Sequence, residues 1–161
     1  MSAGHPIVMQ ASAVVIGGRA LLIEGPPGSG KSSLALALID RGAALIGDDA
    51  VTLTASDGRL IAAPPPNIAG LIEVRGVGLI RLHAVSDIPI ALILSLGGAT
   101  PVRLPEVPLP YRTIAGVAIP VLAFDPGTIA PALRAEHALS LHGLAINPAS
   151  LCGASAQDIA P

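Results

Sequence analysis

The chain has 161 residues, 52% hydrophobic and 12% charged, with a formal net charge of −2. That length suits one domain with a sizeable core, and the charge balance leaves no basic footprint for nucleic acid. Tyr111 and Phe124 are its two aromatic residues, which argues against base-stacking platforms and leaves any bound adenine to aliphatic side chains and backbone.

Residues 1–9 read as a flexible lead-in. A strand is expected over 11–16, a tight turn at Gly17-Gly18, and a second strand over 20–24. Next comes Gly25-Pro26-Pro27-Gly28-Ser29-Gly30-Lys31-Ser32, a complete G-x-x-x-x-G-K-S loop. The helical pattern after it should stop near Arg41-Gly42. Strand before and helix after is the context such a loop needs, because backbone N–H groups at the helix start form an anion cradle. Lys31 supplies a point charge for the β- and γ-phosphates, and the Ser32 hydroxyl suits Mg²⁺.

A short strand over 43–46 delivers Gly47-Asp48-Asp49. Strands at 51–54 and 59–62 flank a hairpin turn. Pro64-Pro65-Pro66 marks a boundary, since three prolines fit neither helix nor central strand. Residues 68–82 are ambiguous between helix and strand, with Gly76 and Gly78 favouring an extended path. A buried strand follows at 90–96, a proline-bearing loop at 104–111, a last strand at 119–124 and a helix at 129–141. The domain thus runs over 10–146, and the small, polar residues 147–161 read as a disordered tail.

Mean hydropathy is +0.71, so a membrane span has to be considered. The longest apolar stretch, 88–102, is short and broken by Pro89, Gly97-Gly98 and Pro101. The first residues lack the basic and apolar regions of a signal peptide. The single cysteine, Cys152, gives no disulfide framework. A cytoplasmic protein without membrane or nucleic-acid partners is expected. The continuous Val/Ile/Leu/Ala runs suit an α/β fold whose sheet is covered on both faces.

Two carboxylate constellations stand out. Adjacent side chains of an extended segment point to opposite faces, so one of Asp48 and Asp49 can aim at a nucleotide while the other orients it. The plainer reading is a strand-end turn, where Asp is common. Glu73 and Arg75 share a face if extended. Spacing alone leaves a catalytic pair and a surface ion pair equally open. The four histidines show no metal-ligand spacing.

Taken together, the phosphate loop, Leu38-Ile39-Asp40-Arg41-Gly42, Gly47-Asp48-Asp49-Ala50-Val51 and the run from Pro64 to Gly78 resemble the catalytic domain of HPr kinase/phosphorylase, over roughly residues 10–141. The E-x-R-G-x-G run, Glu73 to Gly78, is the specific part. The resemblance is to the short alphaproteobacterial form. It implies a fold like the nucleotide-binding core of phosphoenolpyruvate carboxykinase, with helices packed on a sheet bearing the phosphate loop. It implies an ATP- and Mg²⁺-dependent serine kinase acting on the phosphocarrier HPr, reversible by phosphorolysis, in a homo-oligomer that is hexameric in the family. Residues 25–33, from Gly25 to Ser33, would bind the nucleotide, and Ser32 and Glu73 the metal. Asp48 resembles the acid/base residue, Asp49 its partner, Arg75 the signature arginine, and Arg103 an arginine on a mobile loop.

Two positions depart from the family pattern. Gln10 stands where a histidine is usual near the catalytic Asp, and Pro27 where a serine is usual in the loop. A neutral amide cannot titrate, and proline lacks an N–H donor. These departures motivate an alternative: a degenerate module that senses nucleotide or phosphate and binds a partner without efficient transfer.

Overall fold

The computed structural model describes residues 4–146. Eleven strands and two helices are present among them: β1 (Ile7–Met9), β2 (Ser12–Ile16), β3 (Arg19–Glu24), α1 (Lys31–Asp40), β4 (Ala44–Gly47), β5 (Val51–Ser56), β6 (Arg59–Ala63), β7 (Leu71–Val74), β8 (Gly78–Arg81), β9 (Ile88–Ser95), β10 (Tyr111–Ile114), β11 (Val117–Ala123) and α2 (Pro131–His142). The fold is mixed α/β. Nine strands form one curled sheet: seven follow the order β1-β5-β6-β9-β3-β2-β4, β11 branches from β9 and β10 pairs with β11, while β7 and β8 form a separate hairpin.

The main sheet forks at β9. One side of β9 pairs with β3 along its length, while the other takes β6 at its start and β11 at its end. The sheet is not all parallel: β3, β9 and β11 are parallel neighbours, whereas β2 lies antiparallel between β3 and β4. Two antiparallel steps restore direction, so β3, β4, β9 and β11 all run the same way. Their carboxyl ends share one margin, which carries the Gly25–Ser32 loop and Asp48-Asp49.

Both faces of this sheet are covered, by different means. On one face, alternate residues such as Val14, Leu21, Ile23 and Leu92 pack with Leu34 and Leu38 of α1 and Ala135 and Leu139 of α2. On the other, Ala13, Ala20, Leu22 and Ile93 meet Val51, Leu53, Leu60 and Ala62 of β5 and β6, so the sheet closes over itself. Burial of this apolar area is the main source of stability, at roughly 25 cal/mol per Å². Helix α1 ends in a Schellman motif, with Ala43 N–H on the Leu38 carbonyl and Gly42 N–H on that of Ile39, both at 3.0 Å. At that end Arg41 makes a two-pronged ion pair with Glu136 of α2, 2.9 Å at each contact. Solvent screens this exposed pair, so it adds little to stability.

Three segments differ from the sequence reading. Ile7–Met9, expected within a frayed lead-in, pairs antiparallel with Val51–Leu53; its alternation was too short to see. Residues 68–82 resolve into the β7–β8 hairpin. Its turn has Val77 N–H on the Val74 carbonyl at 2.9 Å, with Gly76 at φ 78°, a conformation other residues adopt at a cost. The proline-bearing loop ends at Tyr111, where β10 begins and pairs with β11 across an Ala115-Gly116 turn. The tail 147–161 and Cys152 lie outside the described residues. No helix among the described residues is long and apolar enough to cross a membrane.

Candidate active site

Pro26-Pro27-Gly28-Ser29 form a β-turn closed by Ser29 N–H on the Pro26 carbonyl at 3.1 Å. Pro27 occupies the second position and Gly28, at φ 81°, the third. This is the type II pattern, in which proline pre-sets the second position and glycine accepts positive φ at the third. Pro27 therefore stiffens the loop where it withholds a donor. Helix α1 starts at Lys31 with no side-chain cap and no acidic residue in its first turn. Its first N–H groups and positive dipole end are left for an anion. The Lys31 ammonium lies across the loop on the carbonyls of Gly25 at 2.7 Å and Pro26 at 3.1 Å.

A cleft of about 710 Å³ opens over this loop. Of the loop residues, Pro27, Gly28, Gly30, Lys31, Ser32 and Ser33 line it, joined by Asp48, Asp49, Glu73 and Arg75. Gly25, Pro26 and Ser29 do not face the cleft, and the buried Ser29 hydroxyl has no hydrogen-bond partner. Strand β4 ends at Gly47 and delivers Asp48 beside α1. Ser32 Oγ–H donates to Asp48 Oδ1 at 2.7 Å. Ser12 Oγ–H donates to the same oxygen at 2.8 Å, and the Glu73 backbone N–H to Oδ2 at 3.2 Å. Asp49 takes a left-handed backbone at φ 67°, which aspartate tolerates better than most residues and which is common at functional turns. Glu73 and Arg75 both line the cleft, by different means: Ile72 is buried in the core that includes α1, so Leu71 and Glu73 of β7 look the other way, and Arg75 reaches the cleft from the turn that follows the strand.

Arg103 does not join them. It lines a separate shallow groove with Phe124, Arg134, His137 and His142. Gln10 is exposed and does not line the cleft; Ser12, two residues on, makes the contact to Asp48.

The oxygen donors fit Mg²⁺ in kind. It takes hard oxygen ligands, one or two of them carboxylates, beside the phosphates of its substrate. The Ser32 hydroxyl lies against the Asp48 carboxylate, with Glu73 and Asp49 on the same cleft.

The sequence model described as HPr Serine kinase C-terminal domain matches residues 4–88. That is more than half the chain and includes the loop, Asp48, Asp49, Glu73 and Arg75. The chain belongs to this family. A Clostridium botulinum protein named HPr kinase/phosphorylase is 46% identical over 78 residues, covering 47% of this chain and 26% of that protein. One from Clostridium beijerinckii is 48% identical over 78 residues, with the same coverage. The match thus spans about a quarter of these curated relatives. A solved structure, the Hpr(Ser) kinase/phosphatase from Coxiella burnetii, is 30% identical with a TM-score of 0.67, covering 84% of this chain and 92% of that one. Within this family fold, two features of the chain were not legible from motifs. One is Ser12, a hydroxyl in an apolar strand. The other is the pair of Glu24, the residue before the loop, with Arg112 of β10.

Arg112 meets Glu24 with both terminal guanidinium nitrogens, Nη1 donating to Oε1 and Nη2 to Oε2, the latter at 2.7 Å. Burial alone would push the Glu24 carboxyl up. The hydrogen bonds and charge of Arg112, with help from Ser95, outweigh it and hold the pKa below the ordinary value. A depressed folded pKa gives stability that is present above the unfolded value of about 4.3 and lost as pH falls through the folded value. Arg112→Ala should therefore lower stability at pH 7 by about 1–2 kcal/mol, a figure discounted because the arginine is partly exposed. The gap from the native protein should narrow below about pH 4. Thermal melts at the two pH values check this; an equal gap at both would remove the pair from the account.

Proposed function

We propose that this chain is an ATP-dependent serine kinase whose substrate is the phosphocarrier protein HPr. The contact that supports the reading best is Ser32 Oγ to Asp48 Oδ1 at 2.7 Å, which sets a carboxylate beside the phosphate loop. The loop amides and Lys31 would hold the β- and γ-phosphates, with residues 25–33 as the nucleotide site. The ammonium would exchange the Gly25 and Pro26 carbonyls for phosphate oxygens. Asp48 would accept the proton of the HPr serine hydroxyl as its oxygen attacks the γ-phosphorus and the bond to the β-phosphate oxygen breaks, releasing ADP. Asp49 would orient that carboxylate, and Arg75 would meet charge developing on the transferred group. Ser32 and Glu73 would hold Mg²⁺, whose contribution when bound is to offset phosphate charge as a Lewis acid. Arg103 belongs to this scheme only if its loop crosses to the cleft. Cytoplasmic location and a hexameric assembly complete the reading, on the family resemblance.

The deciding experiment incubates the protein with ATP, Mg²⁺ and HPr from the same organism, read by intact mass. A gain of one phosphoryl group on HPr is expected. ATP binding without that gain would favour the sensing module.

Glu73→Ala and Arg75→Ala test the cleft-facing pair separately. Neither side chain is in the core, so both variants should stay within about 1 kcal/mol of native stability, read by thermal melts. Both should lose transfer by about 10-fold or more, as expected for charge-stabilising groups. Full activity in both would reduce the pair to surface decoration.

A further inference from the structure

We infer that Ser12 is a positioning residue that fixes which oxygen of Asp48 does the chemistry; the inference rests on the proposed role of Asp48 as base. Ser12 is the one polar or charged residue that is buried as a whole among the described residues. It lies on central strand β2, on the same face as Val14 and Ile16, where α1 packs. Its neighbours Ala11 and Ala13 face the opposite core. Packing and strand propensity at such a site favour valine or isoleucine. A hydroxyl there is tolerated because it has a partner, and that partner is Asp48 Oδ1 at 2.8 Å.

A carboxylate offers about four acceptor sites, two on each oxygen. On Oδ1 both are filled, by the hydroxyls of Ser12 and Ser32; on Oδ2 one is filled, by the Glu73 N–H. The open site is on Oδ2. Ser12 thereby directs the arriving serine proton to one oxygen, and it does so from a strand hydrogen-bonded on both sides, through Ile23 of β3 and the β4 pairing of Ala13. Without Ser12 the carboxylate would keep only Ser32 on Oδ1, from the first turn of a helix that also serves the nucleotide, and the longer, exposed Glu73 N–H contact on Oδ2.

The test uses the full chain with four proteins: native, Ser12→Ala, Asp48→Ala and the double variant, with Ser12→Thr as the rescue. HPr phosphorylation is followed for kcat and for KM of ATP, and each protein is melted. Ser12→Ala should lower kcat about 10-fold, as a misplaced reacting group does, with KM for ATP within about 2-fold. Ser12→Thr keeps the hydroxyl and should recover most of the loss. In the Asp48→Ala background, Ser12→Ala should change kcat no further. It should also raise the melting temperature there, because the hydroxyl it removes has lost its partner, whereas in the native background it should lower it. A native kcat in Ser12→Ala, or an equal fall in both backgrounds, would overturn the proposal. Should the native protein leave HPr unmodified, the proposed function fails on its own. The melts then decide on Ser12: opposite signs in the two backgrounds sustain the orienting contact, and equal shifts overturn it.

Discussion

Asp48→Asn should cut phosphoryl transfer to HPr by about 100-fold or more, the usual contribution of a positioned general base. Asparagine fits this site unusually well, which makes it a clean test. Its oxygen can take the Glu73 N–H, and its amide can donate to Ser12 and Ser32, whose hydroxyls rotate to accept. Shape and hydrogen bonding are kept while the capacity to take a proton is lost. Nucleotide affinity should move by no more than a few-fold. Single-turnover transfer measured beside ATP calorimetry checks both halves. Transfer within a few-fold of native would hand the base role to Asp49 or Glu73, or show that the step needs none.

Lys31→Ala should weaken ATP binding by about 10- to 100-fold, the equivalent of one charge-assisted hydrogen bond removed from a phosphate. The ammonium already sits at the mouth of the loop, so binding requires it only to change partners. The loop should keep its shape without it, because the Pro27-Gly28 turn is closed by backbone. Calorimetry with Mg²⁺ present reads the affinity, and an unchanged melting temperature without nucleotide shows that folding is not the cause. Native affinity in the alanine variant would dismiss the loop as the nucleotide site.

Much of the site could be read in the sequence because it is local. The loop from Gly25 to Ser32 declares itself through glycine, lysine and serine at fixed spacing, and the strand and helix flanking it lie where that spacing requires. The facing of Glu73 followed from the period of two in an extended segment, whereas Arg75 reaches the same cleft from the turn beyond β7. The gaps are long-range. Glu24 and Arg112 lie 88 positions apart, and each alone looks like a surface charge. Strand β1 is three residues, too short for alternation to register, and is fixed by its pairing with β5. Ser12 left one signal, a polar residue on the core-facing positions of an apolar strand, but its meaning depends on Asp48, 36 positions away. Arg103 shows the converse: resemblance assigned it to the phosphates, while the structure sets it beside α2.

Because β3, β4, β9 and β11 share one direction, the molecule has a working margin and a quiet one. The Gly17-Gly18 and Ala115-Gly116 turns lie at the amino ends of β3 and β11, on the quiet side. The six residues of β3 separate Gly17-Gly18 from the phosphate loop, or roughly 20 Å at the usual rise per residue. A peptide inserted between Gly17 and Gly18 would thus tether the protein to a surface with its cleft facing outward.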